Sequence, residues 1–144
     1  MPHIVLEYST RLAERCDIDR LLLELHEMLG KHPSFETDRI KSRAIPIAQR
    51  IVGSDPNREF VHVAISFSRR RDEETRKALG QAILDVLLQR IGGPDLKVSR
   101  SVEIRQFEPG MYFNDYGLKE GAANPNNSPP ETPGTKGLAD GGAA

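Results

Sequence analysis

The sequence holds one cysteine, Cys16, so no intrachain disulfide can form, and a reducing, cytoplasmic setting is the simplest fit. No stretch approaches the roughly 20 consecutive apolar residues that a membrane helix needs. Glu7 interrupts the first apolar run after a few residues, so no secretory h-region is expected there. Charge of either sign is not in excess: 20 basic and 21 acidic residues give a net charge of -1. That balance removes the usual reason to expect nucleic acid or a membrane surface as a partner, and leaves Arg69–Arg71 a weak argument for a nucleic-acid binder. Phosphate-cradling glycine loops of the P-loop or GxGxxG type are missing. So are the His and Cys spacings of a metal site, and no metal ligand set is expected.

What is present is a chain of 144 residues, 38% hydrophobic and 28% charged, which suits one globular domain small enough to gain stability from oligomerisation. Two regions differ in composition. Residues 1–118 carry periodic apolar patterns and read as the folded domain. Residues 119–144, "KEGAANPNNSPPETPGTKGLADGGAA", hold one leucine and several prolines and glycines. They offer too little apolar surface to offset the entropy of ordering, so a disordered tail is expected.

Within the domain, "PHIVLEYS" at residues 2–9 is β-rich and reads as a strand. Ile18, Leu21, Leu22, Leu25, Met28 and Leu29 then fall on one helical face, with Asp17 as N-cap and Pro33 beyond the end. "RIKSRAIPIAQRIV" is a second strand region, where Pro46 argues for a sheet edge or a break. After the turn "SDPN" come a strand "EFVHVAISFS", a helix capped by Asp72 and ended by Gly92, Gly93 and Pro94, and a last strand "VSRSVEIRQF". "PHIVLEYS" and "VHVAISFS" align, with His3 over His62, so the order is an internal repeat. Two βαβ units predict an α/β (α+β two-layer) fold: a four-stranded mixed sheet with both helices on one face. The uncovered face would present apolar residues, and other subunits are one way to bury them.

Pro2 stands hard against the first strand. As an internal residue it is a strand starter; with Met1 removed its nitrogen becomes a secondary amine. α-Amino groups have reference pKa values of about 7.7–8.0, and an apolar, cation-lined pocket lowers them. Such an amine is a base near working pH. Basic candidates for its surroundings are Arg39, Lys41 and Arg43, two apart on one expected strand and hence on one face, and the run Arg69, Arg70 and Arg71 before the second helix. That run opposes the helix macrodipole, a small local cost. His3 and His62 read as strand histidines in hydrogen-bonded structural roles, and Cys16 as structural. Gly80 inside the second helix costs about 1 kcal/mol relative to alanine, which close packing on the sheet would explain. Tyr112, Phe113 and Tyr116, after the last strand, are expected to pack on a neighbouring subunit or to wall a pocket.

The ordered set "MPHIVLEYS", "IKSRA", "FVHVAISFS", "RRRDEETRKALG" and "SVEIRQF", over roughly residues 2–115, resembles the 5-carboxymethyl-2-hydroxymuconate Δ-isomerases of the tautomerase superfamily. The resemblance implies a homotrimer with active sites near subunit interfaces, and no metal or organic cofactor. It implies Pro2, exposed by loss of Met1, as the catalytic proton shuttle. Arg43 matches the family's "SR" arginine and Arg71 its arginine before the second helix. Lys41 stands where an arginine is expected and keeps the charge without the planar fork. These three residues are the implied binders of a small carboxylate substrate. Hydration or dehalogenation chemistry at the same proline, and a tautomerase fold serving only as a binding module, remain alternative readings.

Overall fold

A computed structural model describes residues 1–115 and 117; Tyr116 and the expected tail, residues 119–144, lie outside the described residues. Four strands, β1 (His3–Ser9), β2 (Lys41–Ile47), β3 (Glu59–Phe67) and β4 (Val98–Gln106), form one sheet in the order β2-β1-β3-β4. β1 pairs with β2, and β3 with β4, in parallel, while β1 and β3 run antiparallel at the centre. Helix α1 (Ile18–Lys31) joins β1 to β2, and α2 (Glu73–Arg90) joins β3 to β4. This is the mixed sheet of two βαβ units expected from the repeat. His3 pairs with Ser66 and Glu7 with His62. The alignment of His3 with His62 also sets Glu7 over Ser66, so the central pairing obeys a local two-fold axis.

Both helices start where the sequence predicts. The Asp17 carboxylate accepts from the Arg20 N–H at 3.0 Å, and that of Asp72 from the Thr75 N–H at 2.7 Å. Each satisfies a donor that the helix itself cannot. Leu21, Leu25 and Leu29 of α1 and Leu79, Ile83 and Leu87 of α2 are buried against Ile4 and Leu6 of β1 and Val61, Val63, Ile65 and Phe67 of β3. Alternate residues of each strand therefore face the helices. The opposite face carries His3, Val5 and Glu7 beside Lys41, Arg43 and Ile45, with Phe60, His62 and Ala64 across the centre. β2 is an edge strand and runs unbroken through Pro46, whose missing donor costs nothing on the outer side.

The second strand is shorter than its sequence suggests. It begins at Lys41 and ends at Ile47, and Thr37–Arg39 instead form a short 3-10 turn. Arg39 therefore does not share the strand face of Lys41 and Arg43. Gly80 does pack on β4, but a methyl group built there would lie 3.6 Å from the Ile104 side chain, an ordinary contact. Packing does not demand glycine, so Gly80→Ala is expected to stabilise the fold by about 0.5–1 kcal/mol through helix propensity. Thermal or urea unfolding checks this; a loss of stability would mean that the contact is tighter than it looks.

Candidate active site

The chamber at the start of β1 is built from the chain terminus outward. Met1 is 8% exposed and Pro2 is buried. Pro2 is anchored by its carbonyl, which accepts from the Lys41 N–H at 3.1 Å. The Met1 amine donates to the Ser68 hydroxyl at 3.1 Å. Burial holds that amine below its ordinary pKa, and the charges of Arg71, Arg69 and Arg39 push it further down against a smaller opposing pull from Glu36. Loss of Met1 would move the chain's amine one residue along, to Pro2.

Arg71 is the best-held of these cations. Its guanidinium lies 4.8 Å from the Phe35 ring centroid and 5.6 Å from that of Phe67. It donates to the Ser34 carbonyl at 2.6 Å and the Arg69 carbonyl at 2.8 Å. Its Nε is buried without a hydrogen-bond partner among the described residues. Burial, and secondarily Arg69, lowers its pKa. A guanidinium set against two rings and held by the carbonyls of Ser34, Arg69 and Arg70 is an oriented, partly desolvated cation whose Nε–H is unspent. Arg69 and Arg70 are exposed, and of the two only Arg69 acts on the amine. Arg39 pairs with Glu36 at 2.8 Å.

Arg43 and Lys41 lie elsewhere, on the open face of the sheet. His3 pairs directly with Lys41 and Val5 with Arg43. Burial, then Arg43, then Lys41, holds His3 below the usual histidine pKa. The structure thus gathers Pro2, Arg71, Arg69 and Arg39 at one place and puts Arg43 and Lys41 beside His3. Both repeat histidines are hydrogen-bonded as expected: His3 Nε2 lies 2.7 Å from the Tyr112 hydroxyl, and His62 Nδ1 lies 2.7 Å from Ser101 Oγ. Cys16 is partly buried and its thiol pKa is raised, chiefly by burial, which fits an inert structural residue. Sequence reasoning missed Ser68, Phe35 and Glu36. Ser68 was findable, since it follows β3 directly and β3 runs antiparallel to β1. Phe35 and Glu36 sit in an irregular stretch that no periodicity marks.

Among the described residues no cluster of three His, Cys, Asp or Glu side chains could hold a metal ion, and no helix is long and apolar enough to cross a membrane. The arrangement instead offers an enclosed amine beside oriented cations, which suits proton transfer next to a carboxylate or a nascent oxyanion.

Solved structures share this fold. A 5-carboxymethyl-2-hydroxymuconate isomerase from Deinococcus radiodurans R1 superposes with a TM-score of 0.73 at 28% identity, covering 79% of this chain and 88% of that one. A 5-carboxymethyl-2-hydroxymuconate delta-isomerase does so with a TM-score of 0.68 at 18% identity, over 81% and 89% of the two chains. A macrophage migration inhibitory factor-like protein from Entamoeba histolytica, 12% identical, has a TM-score of 0.58 over 79% of this chain and 95% of that one. No curated protein sequence matches this one. Fold and relatives together define an isomerase of the tautomerase superfamily. The family model for 5-carboxymethyl-2-hydroxymuconate isomerase matches residues 2–119, and the chain belongs to that family.

Proposed function

We propose that the mature chain isomerises 5-carboxymethyl-2-hydroxymuconate in the breakdown of aromatic compounds in the cytoplasm, with the Pro2 nitrogen as the one acid–base group. The observation that carries this reading is the enclosed N-terminus. The Met1 amine is held below its ordinary pKa by burial first and then by Arg71, Arg69 and Arg39, and a Pro2 amine exposed in the same surroundings is pushed the same way, toward the neutral base the reaction needs. The amine removes a proton from a carbon beside the carbonyl. The electron pair of that C–H bond moves into the conjugated system, and negative charge collects on the carbonyl oxygen. The ammonium then returns the proton to a different carbon of the same system, leaving the double bond shifted and the amine neutral again. One group serves both steps because the substrate stays within its reach.

Arg71 supplies an oriented cation for a carboxylate or for the growing oxyanion. Arg43 and Lys41, beside His3 on the open face, bind a carboxylate where that face meets another copy. Assembly as a homotrimer would cover that face, whose Val5, Ile45, Ile47 and Phe60 are only part-buried in the single chain. A solved symmetric trimer, the fused 4-OT protein, shares the fold with a TM-score of 0.60 at 16% identity, over 81% of this chain and 94% of that one.

The test is the ultraviolet rate of 5-carboxymethyl-2-hydroxymuconate isomerisation by protein confirmed by mass to lack Met1, beside its Pro2→Ala variant. Alanine keeps an amine but frees it to rotate, so a loss of about tenfold to a hundredfold is expected, the low end of general-base effects. Absence of turnover in the mature protein would retire this substrate and favour another reaction of the superfamily or a non-catalytic module.

A further inference from the structure

The stretch after β4 turns back over the start of β1. The Phe107 N–H donates to the Phe67 carbonyl at 2.9 Å, and the Phe107 ring stacks on Tyr112 at 5.2 Å between centroids, 15° from parallel. The Tyr112 ring meets that of His3 edge-on at 5.7 Å. Its hydroxyl therefore lies between two groups of the N-terminal strand, 2.7 Å from His3 Nε2 and 3.0 Å from the Met1 sulfur. A phenol has one proton to give. Donated to sulfur, it leaves the phenolic oxygen to accept, and the His3 Nε2–H becomes its donor. This assignment follows from the hydrogen-bond partners.

We propose that Tyr112 is a substrate-contacting residue: in the Met1-free enzyme its hydroxyl, oriented by His3 and by stacking on Phe107, donates to the substrate oxygen that becomes negative when Pro2 takes the proton. The inference rests on the proline reading and adds the group that receives the charge. Thioether sulfur is a weak acceptor and holds the place of a strong one. Loss of Met1 removes that sulfur from a nearly closed space and turns the hydroxyl toward what replaces it. A hydrogen bond to an oxygen gains strength as charge grows on it, so this contact favours the transition state over the bound substrate. Burial first, then the Arg43 and Lys41 charges, hold His3 below the usual histidine pKa. With the proton on Nε2 the ring donates to the phenolic oxygen and leaves the phenol's own proton for another acceptor.

Mature Tyr112→Phe is compared with mature wild type in two assays. The first is ketonisation of phenylenolpyruvate, a simple enol acid, followed in the ultraviolet. The expected result is a kcat lower by about 10- to 100-fold, the effect of one hydrogen bond to a charged group, with KM within about threefold and the melting temperature unchanged. An unchanged kcat, or a fall that tracks a lower melting temperature, overturns the proposal. The second assay, binding of salicylate as an enol-like hydroxyl beside a carboxylate, does not depend on turnover. Affinity about tenfold weaker in the variant supports the contact; equal affinities, or no saturable binding to wild type, overturn it. Pro2→Ala measured alongside separates the two readings. Full ketonisation by Pro2→Ala with loss in Tyr112→Phe would sink the proline shuttle and keep the tyrosine, and the reverse pattern would do the opposite.

Discussion

With Pro2 as the proposed base, protein that retains Met1 is expected to show no isomerase turnover above background, while protein of the same sequence lacking Met1 is expected to turn over. The expected gap is at least about 10²–10⁴-fold, the usual worth of a positioned acid–base group. Two independent effects produce it. With Met1 in place the Pro2 nitrogen is an amide, its lone pair delocalised into the carbonyl, and it cannot serve as a base. The Met1 side chain also occupies the chamber: it is 8% exposed, and its sulfur takes the hydrogen bond of the Tyr112 hydroxyl. The Met1 amine is itself buried and poised, but it is anchored to Ser68 at 3.1 Å and displaced along the chain from the proline position. Separating the two forms, confirming each by intact mass and assaying both at one concentration checks the expectation. Equal rates would show that the proline amine is not the working base.

Arg71→Ala is expected to lower kcat/KM by about 10²–10³-fold, the range found when one preorganised donor to a developing oxyanion is removed. The same change moves the acidic limb of the pH–rate profile upward. The sign follows from the direction of the shift. The amine works when neutral, so the rate rises as pH climbs through its pKa. Burial first, and Arg71 as the largest of the charges, hold the Met1 amine below its ordinary pKa, and a Pro2 amine in the same surroundings is expected to be pushed the same way. Removing the cation lets it return toward about 8, so the variant needs a higher pH for the same fraction of free base. Because Arg71 also ties the Ser34 and Arg69 carbonyls together over Phe35 and Phe67, melting temperatures must accompany the kinetics. Arg71→Lys separates charge from geometry: it keeps the limb near the wild-type position while losing most of the rate, since an ammonium cannot reproduce the fork. A limb that does not move in Arg71→Ala would remove this cation from the neighbourhood of the base.

Much of the architecture is legible in the sequence because it rests on local or periodic signals. The Asp17 and Asp72 caps, the leucine stripe of α1 and the edge placement forced by Pro46 each follow from a rule that acts within a few residues. The internal repeat extends that reach across the chain, since it marks which residues of β1 and β3 are equivalent, while the pairing of His3 with Ser66 and Glu7 with His62 is seen only in the fold. The site is legible only in part. A guanidinium matched by spacing, Arg71, does stand by the N-terminus. Arg39 is misplaced by the same reasoning, because the alternation of a strand holds only where the backbone is extended, and residues 37–39 turn instead. Arg43 and Lys41 share a strand face as read, yet the face they share is that of His3. Tyr112 was visible as an aromatic after the last strand, but its partners lie 109 and 111 residues away, and no local pattern encodes such a meeting.

The two-fold axis between β1 and β3 carries Pro2 onto Val61 and Arg71 onto Leu12. Val61 is an internal residue and Leu12 is fully buried. A backbone that looks the same from either end is therefore chemically polarised, because a polypeptide has only one amino terminus to spend. A circular permutant opened just before Val61 would hand the free amine to the other end of the sheet, where the neighbouring arginine, Arg100, already donates to the Ile91 and Val98 carbonyls. Duplication of a βαβ half thus doubles the scaffold without doubling the catalyst, and the second half is at liberty to drift in sequence everywhere except where it holds the first.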